Sequence, residues 1–71
     1  MALSGNRIRA HRQMAGMTQE DLARRMGTTR PVISGWENEH RVPSLIRIQA
    51  LAGLFGIRVD DLLDERGVHG R

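Results

Sequence analysis

The sequence predicts an all-α fold, compact, with five short helices around one core. Three observations carry this reading. A Ser or Thr stands just ahead of four candidate helices, and Gly follows three of them. Apolar residues recur three and four apart within those segments. No stretch alternates polar and apolar residues as a half-buried strand would.

Ser4 caps a first helix that runs to about Ala15, with Gly16 as its stop. Thr18 caps a second from Gln19 to Met26, with Asp21 three residues on completing a box-like start and Gly27 as its stop. Thr29 caps a third, from Arg30 to about Asn38. Pro31 is tolerated near its beginning because first-turn N–H groups lack intrahelical partners. Glu39 to Pro43 reads as a loop. Ser44 caps a fourth helix from Leu45 to Phe55, ended by Gly56, and a short fifth follows from Val59 to Leu63. Residues 1–63 therefore form one domain. Residues 64–71, with Gly67 and Gly70 and little apolar content, are expected to be a short flexible tail.

The core candidates follow the helical spacing. They are Leu22 and Met26; Val32, Ile33 and Trp36; Leu45, Ile48, Leu51, Ala52 and Phe55; and Val59, Leu62 and Leu63. A chain of 71 residues buries only about 60% of the surface it exposes when unfolded, so such a core has to be compact or be helped by a partner.

Composition removes several functions. There is no cysteine, hence no disulfide framework, thiol chemistry or cysteine zinc site. His11, His40 and His69 lack metal-ligand spacing, and no serine or acid pair forms a credible catalytic centre, so no enzyme, cofactor or metal is expected. No apolar run approaches the roughly 20 residues of a bilayer span, and no signal-peptide core opens the chain. The expectation is a soluble cytoplasmic protein without membrane contact. Trp36 and Phe55 are the only aromatic residues, too few to stack a series of unpaired bases.

The charge is cationic at one end. All eleven basic residues are arginine, and the net charge is +3. Residues 1–36 hold six Arg against two acids, whereas residues 37–71 hold five against six. Codon composition can explain the arginine bias, but the asymmetry suits a polyanion on one face.

Only Gly27 and Thr28 separate the second helix from the cap of the third, a turn of helix-turn-helix length. Val32, Ile33 and Trp36 occupy the inward side of the third helix. Its other side presents Arg30, Pro31, Ser34, Gly35 and Asn38, which is polar and low in bulk, as either a solvated face or a close-approach surface would be.

The run Gly16-Met17-Thr18-Gln19-Glu20-Asp21-Leu22-Ala23, then Met26-Gly27-Thr28-Thr29, Ile33-Ser34-Gly35-Trp36-Glu37-Asn38 and Arg41-Val42-Pro43-Ser44, resembles the phage-repressor/Cro-type (XRE-like) helix-turn-helix family. Leu51-Ala52, Phe55-Gly56-Ile57 and Asp61-Leu62-Leu63 fit its closing helices, so the resemblance covers roughly residues 4–63. It implies a five-helix lambda-repressor-like domain that binds double-stranded DNA, typically as a homodimer on a palindromic operator, with the third helix in the major groove. It implies a regulator of transcription, most often a repressor, in a prokaryotic or phage cytoplasm at the nucleoid.

By position, the resemblance makes Gln19 a phosphate contact that also braces the first residue of the recognition helix. Arg30, Pro31 and Ser34 face base edges, Asn38 and Arg41 hold the DNA backbone, and Thr29 and Gly35 complete the DNA-binding set. Arg12 and Glu37 form an internal ion pair. That pair has its own argument: Ile8, Arg12 and Ala15 share one side of the first helix, and an inward arginine requires a partner. Arg30 can donate two hydrogen bonds to guanine O6 and N7, or can hold a phosphate instead. Gly35 departs from the family, in which a long polar side chain often reads a base there. Close backbone approach compensates, or the position is merely tolerated.

One bidentate contact supplies roughly 1–3 kcal/mol of discrimination, against about 11–15 kcal/mol for typical specific binding. Phosphate contacts, DNA deformability and a second copy must supply the rest. The dimer candidates are Ile57, Val59 and Leu63. The competing function is a protein-interaction module, such as an antitoxin, holding a protein partner (a toxin or an antirepressor) with DNA binding secondary.

Overall fold

The computed structural model describes residues 2–64, which form a two-residue strand β1 (Ala2–Leu3), helices α1 (Gly5–Met14), α2 (Gln19–Met26), α3 (Arg30–Glu37) and α4 (Leu45–Phe55), a 3-10 turn (Val59–Leu62) and strand β2 (Leu63–Asp64). The helix starts follow the capping residues. Ser4 accepts from the Arg7 N–H, Ser44 from the Arg47 N–H, and Thr18 forms a full capping box with Asp21. Asp21 is held below the ordinary carboxylate range, first by its hydrogen bonds with Thr18 and then by the charges of Arg24 and Arg25.

The four main helices lie where the sequence puts them, to within a residue or so. The expected five-helix, all-α description needs correction at the end: the described residues form four α-helices, and Val59–Leu62 is a single 3-10 turn. Four residues are too few to offset the cost of nucleating an α-helix, and the chain is drawn off into β2 at once. Ala2 pairs with Asp64 and Leu3 with Leu63 in an antiparallel ladder, and the Ser4 N–H donates to the Leu62 carbonyl at 2.8 Å. The tail expected over 64–71 lies outside the described residues, except Asp64, which belongs to this ladder.

The core is one cluster. Ile8, Leu22, Ile33, Leu51 and Leu62 are fully buried, with Ala23, Trp36 and Ala52 beside them. Each large apolar side chain in that set contributes about 1.5–3 kcal/mol relative to exposure. Ile57 and Val59 pack against it from the side, half-buried, and Leu63 is half-buried in β2. Leu45, expected in the core, is 65% exposed. It is the first residue of α4, and the buried stripe of that helix runs instead along Ile48, Leu51, Ala52 and Phe55. Arg47 ties α4 to α2 by donating to the Met26 carbonyl.

Two backbone features join α1 to the end of α3. The helix N-terminus meets α3 so closely that a Cβ on Gly5 would overlap the Glu37 carbonyl oxygen and come within 2.8 Å of the Trp36 carbonyl oxygen. Glu39, a non-glycine residue at φ +63°, swings its carboxylate back to accept the Gly5 N–H at 2.9 Å. A left-handed conformation costs an L-residue about 1–2 kcal/mol, and satisfying an otherwise orphaned N–H at a helix start offsets it.

Candidate nucleic-acid interface

The turn between α2 and α3 closes on Gly27, at φ +67° and ψ +34°, where a side chain would be strained. The Thr28 N–H reaches back to the Ala23 carbonyl at 2.9 Å and the Gly27 N–H to the Arg24 carbonyl at 3.2 Å. This Schellman ending satisfies the last carbonyls of α2 and releases the chain straight into the next helix. Thr29 stands at the cap position of α3 in extended conformation, but its hydroxyl makes no capping hydrogen bond. The side-chain cap expected there is therefore absent, and Pro31 in the first turn removes one of the N–H groups such a cap would serve.

α3 is two-faced. Ile33, Trp36 and Glu37 are buried; Arg30, Pro31 and Asn38 are exposed, and Ser34 is half-exposed. The outward polar face expected from helical geometry is present, with one correction. Gly35 is buried rather than presented, because the side chain of Arg41 lies across it.

Beneath that face runs one hydrogen-bonded network. Arg12 grips Glu37 with two nitrogens, Nε to Oε2 at 2.6 Å and Nη2 to Oε1 at 3.3 Å, and its Nη1 donates to the Met17 carbonyl at 2.8 Å. The Glu37 side chain has no solvent exposure and that of Arg12 is 11% exposed. Gln19 Nε2 donates to Glu37 Oε1 at 3.0 Å, and Gln19 Oε1 accepts from Arg30 Nε at 3.3 Å. Arg9 completes it, reaching Glu37 Oε1 at 3.3 Å and Asn38 Oδ1 at 2.9 Å, while Asn38 Nδ2 donates to Ser34 Oγ at 3.2 Å.

Burial pushes the Glu37 carboxyl up, but hydrogen bonds from Arg12 and Gln19, the charge of Arg12 and the bond from Arg9 outweigh it. The group is held below its ordinary value and stays ionised. No buried side-chain polar atom among the described residues lacks a partner, so the network fixes α1, α2 and α3 relative to one another without leaving an orphaned charge.

Gln19, Arg30, Ser34, Asn38, Arg12 and Glu37 are thus brought together. Arg9 is the member that spacing did not single out, because its partner Glu37 lies 28 positions away in the sequence. Pro31 and Thr29 remain on the exposed rim of α3. The dimer candidates Ile57, Val59 and Leu63 present only partial surfaces, whereas Val42, Leu45 and Ile46 are 81%, 65% and 75% exposed just after α3. No group of acidic and histidine side chains able to hold a metal occurs among the described residues, and no helix there is long and apolar enough to cross a membrane.

Comparison with known proteins agrees with this geometry. A family model described as helix-turn-helix matches residues 8–62. An uncharacterized HTH-type transcriptional regulator of Methanothermobacter thermautotrophicus is 43% identical over 63 residues, covering 84% of this chain and 91% of that protein. The P22 c2 repressor, solved in complex with synthetic operator 9T, superposes with a TM-score of 0.80 at 31% identity, covering 90% of this chain and 97% of that one. The restriction-modification controller protein C.AhdI from Aeromonas hydrophila gives a TM-score of 0.76 at 36% identity, over 83% and 86% of the two chains. With its short glycine turn, its two-faced third helix and these matches along most of its length, the chain belongs to the phage-repressor/Cro-type (XRE-like) helix-turn-helix family of DNA-binding transcriptional regulators.

Proposed function

We propose that this protein is a sequence-specific binder of double-stranded DNA that represses transcription, working in the cytoplasm as a homodimer on a palindromic operator. The observation that carries the reading is the exposed edge of α3, with Arg30 held at its start by Gln19 and Trp36 locked beneath it. An arginine braced in this way keeps its fork free of rotamer disorder, which favours bidentate contact with a guanine edge. In this reading Gln19 and Asn38, at the two ends of the face, hold phosphates. Thr29, Pro31 and Ser34 lie along the same outward edge, where small groups permit close approach.

A second copy supplies the affinity that one short helix lacks. Val42, Leu45 and Ile46 offer the apolar surface for it, supplemented by the open edges of Ile57, Val59 and Leu63. Half-site centres then lie about 34 Å apart, one turn of DNA.

The test is the salt dependence of duplex binding. A dimer touching 6–10 phosphates loses about 10³–10⁵ in affinity between 50 and 200 mM salt. A protein-interaction module instead shows weak binding without sequence preference, and that result rejects the proposal.

A further inference from the structure

Gly35, near the end of α3, and Arg41, in the loop that follows, are in direct contact. The Gly35 carbonyl accepts two N–H groups from the following loop, His40 at 2.9 Å and Arg41 at 3.1 Å. The chain therefore folds back over the last turn of α3, and Arg41 begins directly above Gly35. Its aliphatic stem fills the space a side chain at position 35 would occupy. A Cβ there would lie 2.9 Å from Cδ, 3.0 Å from Cγ and 3.4 Å from Cβ of Arg41. Among the described residues, no acid or carbonyl holds the Arg41 guanidinium. Gly35 shares its side of the helix with Pro31, one turn earlier, and neighbours Ser34.

We propose that Arg41 reads a base in place of the side chain that Gly35 lacks: the glycine leaves a slot in the recognition helix, and the arginine stem lies in that slot and carries its fork to a guanine in the major groove. The inference rests on the DNA-binding reading above and refines it, moving Arg41 from backbone support to base discrimination. A helix residue with a Cβ would displace the stem, so glycine here is a requirement of the arginine's path, and its cost to helix propensity is offset by the contact. The guanidinium is the suitable group because its planar fork matches O6 and N7 of guanine, which a point-charge ammonium does not.

Selection from a random duplex pool tests this with the full chain and its Arg41→Lys, Arg41→Ala, Gly35→Ala and Gly35→Ala/Arg41→Ala variants, each first checked for helix content by circular dichroism. The wild type is expected to enrich a motif. Arg41→Lys keeps the stem and the charge and is expected to lose roughly tenfold discrimination at one guanine while retaining its other preferences. Gly35→Ala is expected to lose preference at that same guanine and to add nothing in the Arg41→Ala background. If Arg41→Lys retains the full motif, or Arg41→Ala weakens all sequences equally, Arg41 holds phosphate and the inference is overturned while DNA binding stands. If Gly35→Ala folds and leaves that guanine preference intact, the slot is overturned. If the wild type enriches no motif, the functional reading itself fails, and the inference with it.

Discussion

The amide oxygen of Gln19 lies 3.3 Å from Arg30 Nε, while the amide nitrogen of the same side chain lies 3.0 Å from the buried Glu37 carboxylate. Gln19 is therefore the link by which an internal ion pair reaches the outer edge of α3. Gln19→Ala is expected to leave the fold intact and to reduce duplex affinity by about 1 kcal/mol, the worth of one such hydrogen bond, with the loss concentrated at the base Arg30 faces. Competition binding with duplexes altered at single positions measures this. A loss spread evenly over all duplexes would mean that Gln19 serves only a phosphate.

Arg12→Ala is expected to cost on the order of 3–5 kcal/mol in urea denaturation, because Glu37 would be left charged, without solvent exposure and without its main partner. A loss below about 1 kcal/mol would mean an exposed bridge and would contradict the burial found here.

The same pair sets an acid limit on stability. Glu37 titrates lower in the folded chain than in the unfolded one, so in acid the unfolded state binds more protons and stability rises with pH. Its contribution is fully present above the unfolded value, near pH 4.5, and is lost as pH falls through the folded value. Melting temperatures followed from pH 7 into this acid range are expected to fall for the wild type. In Glu37→Gln, already destabilised at pH 7, this part of the fall is expected to be missing. Parallel curves would remove Glu37 from the account of acid stability.

Gly5 and Gly53 make a matched comparison. A methyl group at Gly5 would strike the backbone of α3, whereas at Gly53, inside α4, nothing lies within 4 Å. Gly5→Ala is expected to destabilise by roughly 1–3 kcal/mol or more, as for overpacking against an unyielding neighbour. Gly53→Ala is expected to stabilise by up to about 1 kcal/mol. Equal melting temperatures for the two variants would contradict the close approach of α1 to α3.

These relationships differ in how readable they were. Ser4, Thr18 and Ser44 announce their helices because capping is local: the acceptor and the N–H it serves lie three residues apart. Arg12 was legible as an inward charge that requires a partner, and the family resemblance named Glu37 as that partner. The β1–β2 ladder was not legible, since it joins residues some sixty positions apart through backbone groups that any side chain could carry. That pairing turns the expected fifth helix into a 3-10 turn. The covering of Gly35 by Arg41 was hidden for a related reason: helical geometry shows which way position 35 points, but not that the following loop folds back over it.

The exposed residues after α3 give a prediction on assembly. A Val42→Asp/Ile46→Asp variant removes surface that is 81% and 75% exposed and is expected to keep its helix content. It should bind an operator as separate monomers with at least tenfold lower affinity. Sedimentation velocity with a duplex reports the stoichiometry, and an unchanged dimeric complex would place the interface elsewhere.

The proposed entry of α3 into the major groove is tested most directly by methylation interference on a selected duplex, with guanine N7 as the probe, because N7 is reachable only from that groove. The expected result is blocked binding at guanines in two clusters about one helical turn apart, with the guanine contacted by Arg30 no longer sensitive in Arg30→Ala. Specific binding that tolerates methylation of every guanine N7 in a guanine-containing site would contradict it.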